Sequence, residues 1–257
     1  MHVFPIPAFA DNYIWLLEAA GSAAVVDPGE AAPVERALDE RGLVLRDILL
    51  THHHADHIGG AAELARRHDC AVHAPDDARI AAATRVVRDG DRVELADLGA
   101  SFAVLAIPGH TLTHIAFAGG GLLFCGDTLF AAGCGRLFEG SPAQMLASLD
   151  RLAALPGATR VHCGHEYTLA NLAFAATVEP GSRAIAERIE RTRAVRARGA
   201  PSLPSTLDEE LATNPFLRCG EPAVRAAAAG FARSELSSRD DVFTALRRWK
   251  DGFTVPA

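Results

Sequence analysis

The stretch Thr51–Gly60 reads THHHADHIGG and sets four histidines and one aspartate into the six positions 52–57. Imidazole and carboxylate side chains are donors for divalent metal ions. Three further donors stand in similar settings: His110 in IPGHT, Asp127 in FCGDT and His165 in HCGHEY, each after an apolar run and a glycine. Read as the end of a strand, positions i and i+2 share a face. His52, His54 and Asp56 then converge, His53 turns away, and His57 has the wrong parity unless the chain curls. Donors presented in two directions suit two adjacent ions better than one. If Asp127 is shared, five histidines and two aspartates give each ion four protein donors, with room for water. His53, His114 and His162 lie near these donors and read as packing residues. His2, His68 and His73 lack the context.

The elements that must position these donors alternate along the first two thirds of the chain. NYIWLLEA and SAAVVDPG read as strands, the second closed by a Pro-Gly turn. APVERALDERG has helical spacing with a glycine stop, and GAAELARRHDC is a second helix. LRDILLT, AVHAP, the two halves of RVELADLGASFAVLAIPGH, the hairpin HIAFAGGGLLFCGDTLF and TRVHCGHEY supply further strands. SPAQMLASLDRLAALPG is a helix with Ser141 as N-cap and Pro142 in its first turn. After about residue 166 the segments become helical and rich in Ala and Arg, with GAPSLPSTLDEELATNPF read as a connection between helices.

Composition narrows the class. The 257 residues are 49% hydrophobic, enough for a substantial core, and no apolar run approaches the ~18 residues of a membrane span. The first residues, MHVFPIPAFADNY, have neither a basic start nor a clean apolar stretch, so no secretory signal is expected. A net charge of −7 argues against nucleic acid as a partner. Five scattered cysteines, none in a CxxC pair, fit reduced thiols in a cytoplasm and argue against a cysteine-only zinc site.

THHHADH followed by GHT, GDT and GHE resembles the metallo-β-lactamase superfamily. DNYIWLL, GDTLFAAGCGRLFEG, VHCGHEYTLANLAFA, PSTLDEELATNPFLR and FTALRRWKDGF together resemble glyoxalase II, the hydroxyacylglutathione hydrolases, over nearly the whole chain. The resemblance implies an α/β fold: an αββα metallo-β-lactamase-type sandwich as catalytic domain over residues 1–166, then a small helical glutathione-binding domain over 167–257. It implies hydrolysis of S-D-lactoylglutathione to D-lactate and glutathione, the second step of methylglyoxal detoxification. Carried over residue by residue, His52, His54 and His110 hold one ion, Asp56, His57 and His165 hold the other, and Asp127 bridges. Arg136, Tyr167, Arg247 and Lys250 fall where the family contacts glutathione. Phe138 departs from the pattern, standing where some members have a tyrosine whose hydroxyl reaches glutathione.

A thioester carbonyl is already electrophilic, so the chemistry mainly needs hydroxide at neutral pH. A metal ion lowers the pKa of bound water to about 7, and two ions about 3.5–4 Å apart can share one hydroxide. Asp56 would orient it as well as ligate. The expected cofactor is two divalent ions per chain, zinc first, with iron or manganese as alternatives. The expected partner is a small glutathione thioester, with no membrane and no nucleic acid, on a cytoplasmic monomer. Other readings of the same motifs are a mononuclear-iron persulfide dioxygenase, another hydrolase of the fold, or a metal-binding protein without catalysis.

Overall fold

Pro5 and Pro7 lack the amide that a central ladder needs, and their strand, β1 (His2–Ala8), lies at the edge of a six-stranded sheet. The structure, a computed structural model, describes residues 1–254. It divides into two compact units. The first comprises Met1–Ala106, Thr113–Gly126 and His162–Glu166; the second comprises Ile107–Leu112, Asp127–Val161 and Tyr167–Ala257. The last three residues of the expected helical domain, 255–257, lie outside the described residues. The units do not divide at one point of the chain, because two segments of the first 166 residues, 107–112 and 127–161, belong to the second unit.

In the first unit, β1, β2 (Asn12–Ala19) and β3 (Ser22–Val26) form an antiparallel meander. α1 (Ala31–Arg41) then crosses over to β4 (Val44–Leu49), which pairs with β3 in parallel. Gly42 ends α1 in the left-handed region, as the glycine stop requires. The short α2 (Ala55–Ile58) and α3 (Ala61–His68) lead to β5 (Ala71–Ala74), and β6 (Arg85–Val86) completes the sheet. Every residue of β3 is buried, the near-continuous apolar run of a strand covered on both faces. Val34 and Leu38 of α1 and Leu64 of α3 join one core cluster with Ile14, Leu16 and Ile48. At about 1.5–3 kcal/mol for each such side chain, burial rather than helix propensity docks the two helices.

A second sheet of the same unit runs β10, β9, β8, β7, from β7 (Arg92–Leu95), β8 (Ala100–Ala106), β9 (Ile115–Gly119) and β10 (Leu122–Gly126). Trp15 bridges from the first sheet. Its Nε1 donates to the carbonyl of Cys163 at 2.9 Å, and its ring meets His162 edge-on at 4.6 Å. His162 also packs on Phe124 of β10 at 4.8 Å, so it is a core residue.

The second unit begins its regular structure with the two-residue strands β11 (Leu129–Phe130) and β12 (Gly133–Cys134), paired antiparallel. α4 (Pro142–Ala153) follows, with Ser141 and Gln144 forming a reciprocal capping box. β13 (Arg160–Cys163) starts in this unit and ends in the first. α5 (Thr168–Val178), α6 (Arg183–Arg196), β14 (Ser205–Thr206), α7 (Leu207–Thr213), α8 (Pro222–Ala232) and α9 (Arg239–Asp251) complete it.

Two readings of the sequence need correction. GAPSLPSTLDEELATNPF is no plain connection: it holds β14, paired with the start of β13, and α7, whose N-cap Thr206 accepts from the amide of Glu209. The histidine cluster does not continue a strand. β4 stops at Leu49, and Asp56 and His57 sit on the single turn α2. Strand parity therefore does not govern the cluster.

Candidate active site

After β4 the chain turns through His52–His54 and enters α2, so the donors of this segment lie on a bend and one helical turn, while His165 follows β13. That turn is packed tightly from below. A Cβ on Gly29 would fall 1.9 Å from the carbonyl oxygen of Asp56, so only glycine lets the β3 turn lie under α2.

The rings of His52, His57, His110 and His165 are each tied at Nδ1 by an oxygen. The Nδ1–H of His57 donates to Asp27 Oδ2 at 3.0 Å, and that of His165 donates to Asp11 Oδ1 at 2.8 Å. A carboxylate only accepts, so Nδ1 carries a proton, and in the neutral ring Nε2 holds the lone pair. Both Nε2 atoms face Asp56 Oδ2, at 3.5 Å from His57 and 3.4 Å from His165. Asn12 steadies the same carboxylate oxygen through its Nδ2 at 2.9 Å. Asp56, His57 and His165 thus bring one ligand atom each to within 4.8 Å of one another.

His52 follows the same rule one step removed. Thr51 gives its hydroxyl proton to Asp27 Oδ2 at 2.7 Å and so accepts from His52 Nδ1 at 3.0 Å. His52 Nε2 then lies 3.1 Å from His54 Nδ1, and His52 is fully buried. His53 Nδ1 instead lies 3.5 Å from Asp77, and His114 stacks flat on His52 at 4.5 Å.

Asp27 was not legible as a functional residue. Its carboxylate accepts from the Thr51 amide, the Thr51 hydroxyl and His57 Nδ1, while its own backbone is left-handed at φ 52°. Asp27, His52 and His57 also lie within 4.8 Å, but these three hydrogen bonds make Asp27 the orienter of two rings rather than a ligand. Asp11, Asn12 and Thr51 were missed with it. The only signal is an acid or amide at a strand end, a common sight in any turn.

In the second unit, His110 and Asp127 meet. His110 Nδ1–H donates to the carbonyl of Arg136 at 2.9 Å, again leaving Nε2 as the lone-pair nitrogen, which lies 3.5 Å from Asp127 Oδ2. Rings held by oxygen at Nδ1 and opened at Nε2 beside carboxylates are what a divalent metal requires, so the donor set fits one.

A cavity of about 480 Å³ opens beside this pair, lined by Cys134, Arg136, Phe138, Tyr167, Arg247 and Lys250 among others. All four residues expected to contact glutathione therefore line one cavity. Their states differ. Arg247 is 5% exposed, and its guanidinium donates to the Cys134 carbonyl at 2.9 Å and to Asp251 at 2.9 Å. It is no solvated surface charge. Lys250 is half-buried, donates to the Ala170 carbonyl at 3.1 Å, and is pushed down to about 8 by burial and then by Arg247. Arg136 is exposed, Tyr167 meets Phe130 edge-on at 5.3 Å, and Phe138 is 64% exposed with its ring 5.2 Å from that of His110. Burial pushes the Cys134 thiol up to about 11, which makes it a poor nucleophile.

Among the described residues no helix is long and apolar enough to cross a membrane. Residues 9–165 match the metallo-beta-lactamase superfamily, and residues 166–253 match the hydroxyacylglutathione hydrolase C-terminus. A curated hydroxyacylglutathione hydrolase of Xanthomonas euvesicatoria is 55% identical over 255 residues, covering 98% of this chain and 99% of its own. One of Methylobacillus flagellatus is 53% identical over 251 residues at the same coverage. Among solved structures, ETHE1 from Myxococcus xanthus aligns with a TM-score of 0.67 at 27% identity, over all of this chain and 92% of its own. TTHA1623 in a di-iron-bound form aligns at 0.60 and 30% identity, over 83% of this chain and 100% of its own. With both domain models matched in order and the relatives aligned end to end, the chain belongs to the hydroxyacylglutathione hydrolase (glyoxalase II) family of the metallo-β-lactamase superfamily.

Proposed function

We propose that this protein hydrolyses S-D-lactoylglutathione and related 2-hydroxyacylglutathiones to the 2-hydroxy acid and glutathione. The observation that carries the reading is one cavity in which Arg136, Arg247, Lys250 and Tyr167 gather beside His110 and Asp127. Glutathione is anionic, and a hydrolase for it needs cations at a distance from the bond that breaks.

The site is read as binuclear. His52, His54 and His110 are assigned to one divalent ion, Asp56, His57 and His165 to the other, and Asp127 to both. The di-iron form of TTHA1623 supports two ions in this fold; zinc is the first choice here, with iron or manganese open. When bound, the ions supply Lewis acidity toward water and the thioester carbonyl. The chain's own residues do the rest. Asn12, through its Nδ2, fixes the direction of the Asp56 carboxylate. Asp11, Asp27 and the Arg136 carbonyl hold the Nδ1–H of His165, His57 and His110, which turns their Nε2 atoms away from those partners. Arg247 and Lys250 bind ground state and transition state alike, so they serve affinity rather than turnover. In domain terms, residues 1–166 act as the catalytic part and 167–257 as the substrate-binding part, in a cytoplasmic monomer.

The test is hydrolysis of S-D-lactoylglutathione by purified protein, with and without chelator, alongside metal analysis of the same sample. Thioester loss that stops with chelator, at close to two metal equivalents, supports the reading. A fully active form with one equivalent would sink the binuclear assignment. Oxygen uptake on glutathione persulfide without thioester hydrolysis would turn the reading to a dioxygenase.

A further inference from the structure

The second unit buries an ion pair that no step above uses. Arg188 of α6 is 2% exposed, Glu210 of α7 is fully buried, and Arg188 Nη2 donates to Glu210 Oε1 at 2.6 Å. Two charges so deeply buried cost folding energy unless every oxygen is satisfied. The other oxygen of Glu210 does not face solvent. It accepts the backbone amide of Ala132 at 2.7 Å.

Ala132 is the apex of the turn between β11 and β12, and its φ of 54° is one that an alanine adopts only when the surroundings impose it. The surroundings are three side chains of the helical segments. Beside Glu210, Asn214 donates to the carbonyls of Phe130 at 3.2 Å and Gly133 at 2.9 Å, and Asn171 donates to that of Ala131 at 3.0 Å. A Cβ on Gly133 would lie 2.5 Å from the Asn171 amide, so the turn is pressed onto its clamp. Each of the four successive residues Phe130–Gly133 thus has a backbone group held by a side chain, in addition to the short β11–β12 pairing.

The stems of the turn lead directly to the chemistry. One stem begins at Asp127; the other ends at Gly135 and Arg136. They are joined by the Gly135 amide donating to the Thr128 carbonyl at 3.1 Å. A Cβ on Gly135 would fall 1.9 Å from the Asp127 carbonyl oxygen, and the Arg136 carbonyl is the acceptor that orients His110.

We propose that the buried Arg188–Glu210 pair is a positioning clamp for the turn Leu129–Cys134, and that through this turn it sets the placement of Asp127 and His110. The part of the proposal that concerns turnover rests on the thioester-hydrolase reading; the clamp itself does not. Arg188 and Glu210 touch neither substrate nor metal. Their effect passes through the backbone of the turn.

The test is amide hydrogen exchange over the peptide 129–136 in chelator-treated protein, with steady-state kinetics of the metal-loaded form on S-D-lactoylglutathione. Glu210→Gln leaves one acceptor oxygen where two are needed. Exchange of the peptide is expected to rise about tenfold or more, since local opening sets it, and kcat to fall about tenfold or more with KM changed far less. Val224→Ala, a core truncation in α8 of the same unit, controls for general loosening: peptide protection and kcat stay as in the parent. If Glu210→Gln does not fold, Arg188→Lys keeps the charge but loses the planar fork, and a rise of about threefold is expected. Exchange no faster than in Val224→Ala overturns the clamp. Faster exchange with unchanged kcat overturns its link to Asp127 and His110. Because the exchange arm needs no substrate, a parent protein inactive on the thioester would overturn the functional reading and still leave the clamp decided.

Discussion

His57 and Arg247 are both buried and both held by an aspartate, yet the two regions around them are built differently. In the first unit the oxygen partners sit behind the rings, on Nδ1, and leave the opposite nitrogen presented. In the second unit the partners of the cavity cations sit on the cationic heads themselves: Asp251 and the Cys134 carbonyl on Arg247, the Ala170 carbonyl on Lys250. A partner behind a ring sets its tautomer and therefore what the ring can do. A partner on a guanidinium or ammonium head only competes with substrate for strength. Loss of a partner should thus change the kind of chemistry in the first region and the affinity in the second.

The largest effect tests the first half of that contrast. Asp127→Ala should lower kcat/KM more than about 100-fold, beyond the 10–100-fold of an outer partner. His53→Ala should cost less than about tenfold, because His53 turns toward Asp77. Equal losses would erase the distinction between donors and their neighbours. Next comes Asp27→Asn. Asparagine tolerates the left-handed backbone at this position but cannot accept all three hydrogen bonds. Metal affinity by chelator competition should fall about 10–100-fold, with the metal-free protein melting close to the parent; unchanged affinity would make Asp27 a mere turn residue.

The cavity cations should behave otherwise. Arg247→Ala should raise KM for the glutathione thioester and leave a small thioester without carboxylates unaffected in KM. It should also lower stability by about 1–3 kcal/mol, because the buried Cys134 carbonyl loses its donor. A loss on both thioesters alike would show that Arg247 is only a brace. Lys250 predicts a pH dependence with a definite sign. Burial, then Arg247, and later Arg136, hold it down to about 8. It is cationic below that value and neutral above it. In kcat/KM for the glutathione substrate, affinity should therefore fall as pH rises through about 8, and Lys250→Arg, charged throughout, should flatten that limb. A falling limb that survives in Lys250→Arg would move the titration elsewhere. The smallest effect is Phe138→Tyr. The ring is largely exposed, so one added hydroxyl contact should lower KM by about 2–10-fold, the worth of a single hydrogen bond, without moving the melting temperature.

Much of this was open to a reader of the sequence, for physical reasons that differ by element. Ser141-Pro142 with Gln144, and the glycine after α1, are local signals, and both ends stand where such residues put them. Apolar runs such as SAAVV become buried strands because burial and β-branching act over a few residues. The edge strand β1 escaped because its prolines argue against a ladder until the sheet shows that no neighbour needs their amides. α7 escaped because its turn signals and its cap use the same residue types.

By itself the sequence determined which side chains are able to bind a metal, since donor chemistry belongs to the residue type. It also determined the family, carried by motifs spread along the whole chain. Only the tertiary structure decided which nitrogen of His165, His57 and His110 is presented. That choice is made by Asp11, Asp27 and the Arg136 carbonyl, partners 154, 30 and 26 positions away in the chain. It likewise decided that Arg247 is buried while Arg136 is exposed. Hydrogen bonding and burial are properties of what surrounds a residue, and no spacing along the chain encodes them.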